Sequence, residues 1–444
     1  MKKQVISLIL TALAVLLLVV SCSDRGTNVP SASNDGVFAE GIDSHVFVDS
    51  VSNGQRQLLL QIGNAAANAL QLRYYLPDSN VTTVPDKYKG KRMPVVILLA
   101  PQDADANFFF AHGIMQLANE MVANGTIRPM LIIMVPNDRV FGGYFYGNSD
   151  PAGYYDQIIG GTLVDYIENR AFFSFVIGDS AHRAIGGFGE GSYGAYRAAL
   201  KHPGTFSVVA TTDGPMDFDG ASGNGGLIPL FAQAMTEQGL TAATYKNFDS
   251  STAWPISRML IGGSLAFSPH ITQVRDSLVF TGGNPPRKTF LKVIDTIPDT
   301  MTLITGCIDG QVLGQGYVNP GVGNINWDFH LPFDGNGQPY RGNGDPASDV
   351  WGLWLANNLE NLLTAAPGSL TGVKMWFATS QQAEYGYYDQ TQSWIQTLQG
   401  NATYAPNVTV RPFNGYSGNP TTNNQYAYDV LREMLIFFSK SFPD

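Results

Sequence analysis

Short apolar runs bounded by turn residues recur along the chain at intervals typical of a domain in which strands and helices alternate. Two of these runs, Met93–Ala100 (MPVVILLA) and Pro129–Val135 (PMLIIMV), are almost wholly apolar. Strands that are covered on both faces have this composition. Between them, Phe108–Asn124 repeats its apolar positions with helical spacing. The pattern predicts an α/β fold, with a mostly parallel central sheet flanked by helices on both faces.

The remaining runs extend the alternation on both sides of this pair. Two early runs, RQLLLQI and LQLRYYL, predict a pair of antiparallel strands. Later strands are predicted at RAIGGF, SVVATTD, VKMWFAT and NVTVRPF, and helices at GTLVDYIENRAFF, GSYGAYRAALKH, YGYYDQTQSWIQTLQ and QYAYDVLREMLIFFSKSF. Residues 215–368 break the alternation, because they are rich in Gly, Asn, Pro and aromatic residues. We interpret them as a large loop-rich lid insertion over the carboxyl ends of the strands, within a single domain spanning 37–444.

The N-terminal segment 1–21 is interpreted as a lipoprotein signal peptide. Lys2 and Lys3 precede the apolar stretch Val5–Val20, which is short for a membrane span. The following VVSC resembles a bacterial lipobox, which implies cleavage before Cys22 and lipid attachment to it. Residues 22–36 then form a polar, flexible tether, and the protein is held on the bacterial cell envelope, at the outer membrane or cell surface. The alternative is an ordinary signal peptide followed by a chance cysteine.

Composition excludes several classes of partner and cofactor. The 444-residue chain has a formal net charge of −10, and its sequence shows no basic cluster beyond the N-terminus, which argues against a nucleic-acid partner. The six histidines are scattered, and neither CxxC nor HExxH occurs, so we predict no metal site and no cofactor. Cys307, the one cysteine besides Cys22, is interpreted as a small buried residue, with a reactive thiol as the alternative.

Six stretches of sequence follow one another in an order that is more specific than the alternation of predicted strands and helices. They are LRYYLPDSN…YKGKRMPVVILLAP, RPMLIIMVPND, GGYFYGNS, GYYDQIIGGTLVDYIE, HRAIGGFGEGSYGAYRAALKHPGTFSVVATTDGPMDF and FHLPFDGNGQ. Together they resemble the putative esterase family of α/β hydrolases, which includes S-formylglutathione hydrolases, feruloyl esterases and mycolyltransferases. The resemblance covers roughly Leu70 to the C-terminus. It implies the α/β-hydrolase fold and, for a member that keeps the family's catalytic residues, esterase activity.

The resemblance also implies four functional positions, and this chain departs from the family at each of them. The family's nucleophile elbow G-x-S-x-G reads GFGEG here, with Gly189 in the serine position. The acid position after the strand VKMWFAT holds Gln381, and the segment before the last helix contains no histidine. The oxyanion loop has Pro101 and Gln102 in place of a His-Gly pair. The resemblance therefore implies a member that has lost its catalytic triad.

Ser192 is the candidate for a displaced nucleophile, because it is the nearest hydroxyl after the turn. It lies three residues further on, about 4.5 Å along the helix axis, so it would not sit at the tip of the turn. It would also need a histidine within hydrogen-bond reach, and His330 in the insertion is the least unfavourable. The histidines are His45, His112, His182, His202, His270 and His330. The other interpretation is that Ser192 satisfies backbone donors at the start of the helix.

A ligand site is expected to persist around the turn even without the triad. The predicted ligand-binding residues are Gly189, Glu190, Gln102 and Tyr146. Further polar groups and aromatic walls are expected from Asp103, Gln381, Tyr144, Phe145 and Trp327. Such a site suits a small molecule, a glycan, or an aryl or glycan ester. Alternatively, the aromatic residues only pack the insertion onto the sheet.

Three hypotheses about function follow from the sequence. The first is an inactive esterase-like lipoprotein that binds a ligand or partner. The second is an active carboxylic-ester hydrolase that uses Ser192 or another displaced nucleophile. The third is a structural component of the envelope in which the site is closed.

Overall fold

The alternation of strands and helices is confirmed by a computed structural model of the protein. It describes residues 46–52, 55–61, 69–77, 84–137, 143–149, 153–169, 174–220, 225–245, 248, 254–271, 301–303, 306–308, 311–313, 317–318, 324–325, 327–341, 349–416 and 422–444. The predicted signal peptide, Cys22 and the tether lie outside these residues. Within the described part of the chain, no helix combines the length and the apolar character needed to cross a bilayer.

Nine strands form the main sheet, in the order β1-β2-β3-β5-β4-β6-β7-β8-β9. The strands are β1 (Val46–Ser52), β2 (Gln55–Gln61), β3 (Ala69–Tyr75), β4 (Val95–Leu99), β5 (Leu131–Val135), β6 (Arg183–Gly187), β7 (Val208–Thr211), β8 (Lys374–Thr379) and β9 (Val408–Pro412). Across the sheet, the neighbouring strands β5, β4, β6, β7, β8 and β9 all pair in parallel. The strands β1, β2 and β3 add an antiparallel extension next to β5. The predicted antiparallel pair RQLLLQI and LQLRYYL is therefore correct.

Eleven α-helices are assigned within the described residues. The first ten are α1 (Phe108–Ala111), α2 (Ile114–Ala123), α3 (Tyr155–Gln157), α4 (Leu163–Asn169), α5 (Glu190–Lys201), α6 (Ile228–Glu237), α7 (Pro255–Phe267), α8 (Val350–Leu355), α9 (Leu359–Ala365) and α10 (Tyr387–Gln399). A π-helical turn (Ile158–Thr162) lies between the short helices α3 and α4. The chain closes with α11 (Asn424–Ser441), an eleventh helix that the sequence also predicts. Short 3₁₀ turns lie at Asp86–Tyr88, Ser180–His182, Glu384–Gly386 and Ala405–Asn407.

Small antiparallel sheets lie outside the main one. They pair Asn148–Ser149 with Gly153–Tyr154, Trp327–His330 with both Pro269–Ile271 and Met301–Leu303, Gly306–Ile308 with Gln311–Leu313, and Tyr317–Val318 with Asn324–Ile325. Cys307 and Trp327 belong to these strands, but their side chains lie outside the described part. Their predicted roles stay predictions.

Two helical predictions differ from the structure in detail. The single helix expected from Phe108 to Asn124 is two helices, because Gly113 takes a φ of 79° and separates α1 from α2. The helix expected at GTLVDYIENRAFF begins inside the π-helical turn, which includes its first two residues, and is described only to Asn169. The apolar spacing that predicted both helices does not register a local change of helical pitch.

The main sheet carries a separate apolar core on each face. Along β4, Val95 and Ile97 face one core while Val96 and Leu98 face the other. The first core contains side chains of α5 and of the helices between β7 and β8, and the second contains side chains of α1, α2 and α11. The central strands β4, β5, β6 and β7 are thus buried on both faces, as their nearly unbroken apolar sequences predict.

A buried ion pair ties α5 to the segment before it. Arg197 Nη2 lies 3.2 Å from Asp156 Oδ2, and both side chains are 5% exposed. Arg197 Nη1 also donates to Asn357 Oδ1 at 2.6 Å, between α8 and α9. Asn148 Nδ2 donates to the other carboxylate oxygen of Asp156. One arginine therefore connects α5 with the helices that follow β7.

Candidate functional site

The loops that follow β4 and β6 meet where the strand order reverses. The chain passes from β4 outward to β5, then back across to β6 on the other side of β4. Leu99 pairs with Gly187 in register, so the two strands end side by side. Ligands of open α/β sheets bind at such a switch point, outside the carboxyl ends of the strands. We call the loops Pro101–Ala106, Phe188–Gly189, Thr212–Gly214 and Ser380–Gly386, which follow β4, β6, β7 and β8, the elbow site.

The turn from β6 into α5 keeps the backbone of a nucleophile elbow. Gly189 stands at its tip with φ 55° and ψ −123°, outside the conformations that residues with a Cβ adopt readily. The two flanking glycines are needed for close approach. A Cβ on Gly187 would overlap the backbone of Gly191, and one on Gly191 would overlap the carbonyl of Leu99. The sequence therefore retains the geometry of the turn and lacks only a side chain at its tip.

Ser192 is placed one turn below the tip and is fully buried. Its hydroxyl donates to the carbonyl of Gly187 at 2.8 Å and accepts from the N–H of Thr212 at 3.2 Å. These bonds join β6, α5 and the end of β7. The hydroxyl thus serves the backbone, as the second interpretation of Ser192 expects.

The histidines whose side chains are described are engaged away from the tip of the turn. His112 Nδ1 lies 2.7 Å from the carbonyl of Phe108, and His182 Nδ1 lies 2.7 Å from Asp179 Oδ1. His202 ends α5 at the end opposite to the elbow. The burial of His202 lowers its pKa, and the neighbouring charge of Asp156 partly offsets this effect.

His330, the base considered for Ser192, is 1% exposed and lies at the end of its strand. Its backbone N–H donates to Ser268, which directly follows α7. Across the described residues, no hydrogen bond or ion pair joins a histidine to Ser192 or to Gly189.

Glu190 points inward rather than into an open cleft. It is fully buried, and its Oε2 accepts from Asn137 Nδ2 at 2.9 Å and from the N–H of Phe145 at 3.4 Å. Its Oε1 has no hydrogen-bond partner within the described residues. Burial raises the pKa of this carboxyl to about 8, against the lowering effect of the bonds from Asn137 and Phe145 and with a further rise from Asp103. The carboxyl is therefore mostly protonated at neutral pH.

Asp213 is a second buried carboxyl beside the elbow, and the sequence reasoning missed it. Its backbone carbonyl accepts from the N–H of Gly189 at 3.1 Å, and its Oδ2 accepts from the N–H of Ser380 at 2.6 Å. Its Oδ1 has no partner within the described residues. Burial raises its pKa, which the bond from Ser380 partly offsets. Its position two residues after the apolar strand SVVAT was a signal that could have identified it, since the carboxyl ends of neighbouring parallel strands share an edge.

Gln102 forms one side of the elbow site together with two tyrosines of the loop and helix after β8. Tyr387 donates its hydroxyl to Gln102 Oε1 at 3.3 Å and also lies 3.2 Å from the sulfur of Met259 in α7. The ring of Tyr385 packs edge-on against Tyr387, with centroids 5.5 Å apart. The predicted ligand residue Gln102 is thus partly exposed and already hydrogen-bonded to the first residue of α10.

The loop after β4 is joined to α7 by an ion pair. Arg258 Nη2 lies 2.6 Å from Asp103 Oδ1, and the two side chains are 15% and 36% exposed. The burial of Asp103 raises its pKa, while the charge of Arg258 acts in the opposite direction. The helix α7 therefore contacts the loop after β4 through Arg258 and the start of α10 through Met259.

Left-handed backbone is concentrated around the elbow. Four non-glycine residues of the described part have a positive φ, and all four belong to segments near the elbow: Asp103 (60°), Phe145 (50°), Tyr146 (48°) and Tyr385 (54°). Each such residue costs on the order of 1 kcal/mol or more and persists only where its surroundings hold it. Strained backbone of this kind clusters at functional sites.

The other predicted site residues are spread between the surface and the core. Tyr146 is 1% exposed beneath Gly194 of α5, and its hydroxyl donates to the carbonyl of Ala100 at 2.7 Å. Its contact with a ligand stays a prediction that this packing does not favour. Gln381 is exposed after β8. Tyr144 and Phe145 are fully buried, and the ring of Phe145 packs against Trp354.

A family model described as putative esterase matches residues 68–254. The matched segment contains β4, β5, β6 and β7, the elbow, and the loops after β4, β6 and β7. No curated protein matches the chain.

The solved structures to which the chain is similar include esterases. A ferulic acid esterase is 14% identical with a TM-score of 0.45, covering 85% of this chain and 96% of its own. An S-formylglutathione hydrolase from Agrobacterium tumefaciens is 10% identical with a TM-score of 0.42, covering 90% and 100%. MPT51 from Mycobacterium tuberculosis is 11% identical with a TM-score of 0.41, covering 86% and 97%. The topology of the sheet and the family model together confirm the predicted α/β-hydrolase fold.

Proposed function

We propose that the protein is an esterase-like binding protein of the cell envelope that no longer acts as a serine hydrolase; the match of residues 68–254 to a family model described as putative esterase supports the esterase-like part. One observation supports this most strongly: the elbow keeps its backbone, while Gly189 at its tip offers no nucleophile. Ser192, the nearest hydroxyl, is buried and bound to backbone groups. In serine hydrolases, loss of the nucleophile alone costs about six powers of ten in turnover.

Retained strain around the elbow supports a ligand-binding role rather than simple decay. Asp103 and Tyr385 have left-handed backbone conformations in the loops of the elbow site. Such conformations cost free energy, so their presence supports a site that still has a function. Gln102 and Tyr385 supply a partly exposed amide and phenol there. Such groups suit a small molecule, a glycan, or an aryl or glycan ester.

The envelope part of the proposal depends on the N-terminal sequence. The charged start, the apolar stretch and VVSC support lipid attachment at Cys22 and anchoring in the membrane. A structural role in the envelope is the second candidate. It is favoured by the burial of Gly189 itself, since a closed site admits no ligand.

The proposal predicts that the purified protein does not hydrolyse p-nitrophenyl acetate above the rate of buffer with free imidazole. The reason is that, among the described residues, no histidine is bonded to the Ser192 hydroxyl, which is engaged with backbone groups instead. The Ser192→Ala variant serves as the matched control and should give the same rate as the parent. Turnover by the parent that disappears in Ser192→Ala would instead support the ester hydrolase with a displaced nucleophile.

A further inference from the structure

Six asparagines of the chain are each followed directly by a glycine. An asparagine in such a pair is prone to lose its amide, because glycine has no side chain to hinder attack by its own backbone nitrogen. The structure describes both residues of three pairs, Asn124–Gly125, Asn336–Gly337 and Asn414–Gly415. All three asparagines are exposed, so exposure does not distinguish them.

The backbone N–H of the glycine does distinguish the three pairs. The N–H of Gly125 donates to the carbonyl of Val122 at 3.1 Å, and the N–H of Gly337 donates to the carbonyl of Asp334 at 3.0 Å. The N–H of Gly415 forms no hydrogen bond with any residue that the structure describes. Of the three nitrogens, that of Gly415 is therefore the one that can react without first breaking a hydrogen bond.

The asparagines themselves differ in the same direction. Asn124 Oδ1 accepts from the N–H of Thr126 at 2.9 Å and from its hydroxyl at 2.5 Å. The N–H of Asn336 donates to Asp334 Oδ1 at 2.8 Å, and its Nδ2 lies 3.5 Å from Asp334 Oδ2. Within the described ranges, Asn414 makes no hydrogen bond of this kind. Both reacting groups of the third pair are thus unengaged.

Space around the third glycine is also open. A Cβ built on Gly415 would meet no atom within 4 Å, and the residue has a φ of 104°. The pair lies in the loop between β9 and α11, and both of its residues are exposed. Nothing that the structure describes therefore restricts the approach of the nitrogen to the neighbouring side chain.

We propose that Asn414 is a deamidation site, at which the folded protein converts an amide into a carboxylate without an enzyme. The backbone nitrogen of Gly415 loses its proton and attacks Cγ of Asn414, and ammonia leaves to give a succinimide ring. Water then opens the ring at one of its two carbonyls, which yields aspartate or isoaspartate. The reaction concerns a loop outside the elbow site and does not depend on the proposed function.

The reaction adds a negative charge to the loop that joins β9 to α11. Tyr416, two residues further on, donates its hydroxyl to Asp429 Oδ2 at 2.6 Å, and its ring packs edge-on against Tyr426 with centroids 5.4 Å apart. Isoaspartate also lengthens the main chain between Phe413 and Tyr416, whose ring centroids lie 6.4 Å apart. We therefore expect the modification to weaken the attachment of this loop to α11.

Peptide mass spectrometry of the full chain tests the site, with the other two pairs as internal controls. The protein is kept folded at pH 8, and conversion to the acid is followed in the peptides that contain residues 124, 336 and 414. We expect the peptide with residue 414 to convert at least about tenfold faster than either control, the factor that corresponds to one hydrogen bond. Its product should contain isoaspartate as well as aspartate, because both arise when the succinimide opens.

The same measurement in concentrated urea separates the fold from the local sequence. There the three peptides should convert at similar rates, because unfolding removes the bonds of Gly125 and Gly337. Conversion at residue 414 that is no faster than at 124 and 336 in the folded protein would overturn the proposal. A preference for residue 414 that persists in urea, or a product without isoaspartate, would overturn it as well.

Amide hydrogen exchange, resolved to single residues by NMR, tests the free N–H without waiting for the reaction. The N–H of Gly415 should exchange at least about tenfold faster than those of Gly125 and Gly337, since those two must first open. Equal protection of the three glycines would contradict the proposal.

Discussion

Replacing Glu190 by Gln is expected to stabilise the protein at pH 9 by on the order of 4 kcal/mol and by less than about 1 kcal/mol at pH 5. Burial raises the pKa of this carboxyl from 4.5 to about 8, so the folded state retains a proton that the unfolded state releases. The contribution of Glu190 to stability is therefore complete below about pH 4.5 and is lost as the pH rises through 8. Urea unfolding of parent and variant between pH 5 and 9 measures the difference.

Glu120→Gln is the matched control, because Glu120 is exposed on α2. Its stability should follow that of the parent at every pH. The account of Glu190 is contradicted if the stability difference between Glu190→Gln and the parent is the same at pH 5 and pH 9. That result would mean that the carboxyl is ionised in the folded protein and that its charge is paired with a group other than Asn137 and Phe145.

Replacing Arg197 by Met is expected to lower the free energy of unfolding by about 3–5 kcal/mol. Met fills a similar volume but leaves the carboxylate of Asp156 buried without its counter-charge, and it removes the bond to Asn357. Urea unfolding measures this loss of stability. The loss should affect the helices on both sides of the ion pair together.

Arg341→Met is the control for this experiment, because the pair between Arg341 and Asp349 is largely exposed on the arginine side. Its cost should stay below about 1 kcal/mol. The double variant Arg197→Met with Asp156→Asn should recover part of the loss, since it removes the unpaired charge. A cost for Arg197→Met no larger than that for Arg341→Met would contradict the account.

The strands and the elbow could be predicted because their causes are local. Apolar runs such as Val95–Leu99 identify buried strands, and the spacing of Gly187, Gly189 and Gly191 specifies a turn in which backbone approaches backbone. That the tip of the turn carries no side chain can also be seen directly in the sequence at Gly189. These features need no knowledge of distant residues.

The inward orientation of Glu190 could not be predicted in this way. It depends on the left-handed turn at Phe145 and Tyr146, which brings the N–H of Phe145 to the carboxyl, and nothing in GGYFYGNS indicates positive φ at two aromatic residues. The pair of Asp103 with Arg258 likewise joins the loop after β4 to a helix far along the chain. Contacts of this kind arise only when the insertion packs on the sheet.

The most direct test of the central claim is the reaction of the full chain with a fluorophosphonate, which forms a covalent bond with an activated serine. Intact mass spectrometry after prolonged incubation should show the unmodified protein, because the elbow presents a glycine and Ser192 donates to the carbonyl of Gly187. A stoichiometric adduct on the folded protein that is lost in Ser192→Ala would show that the protein still has an active nucleophile and would contradict the account.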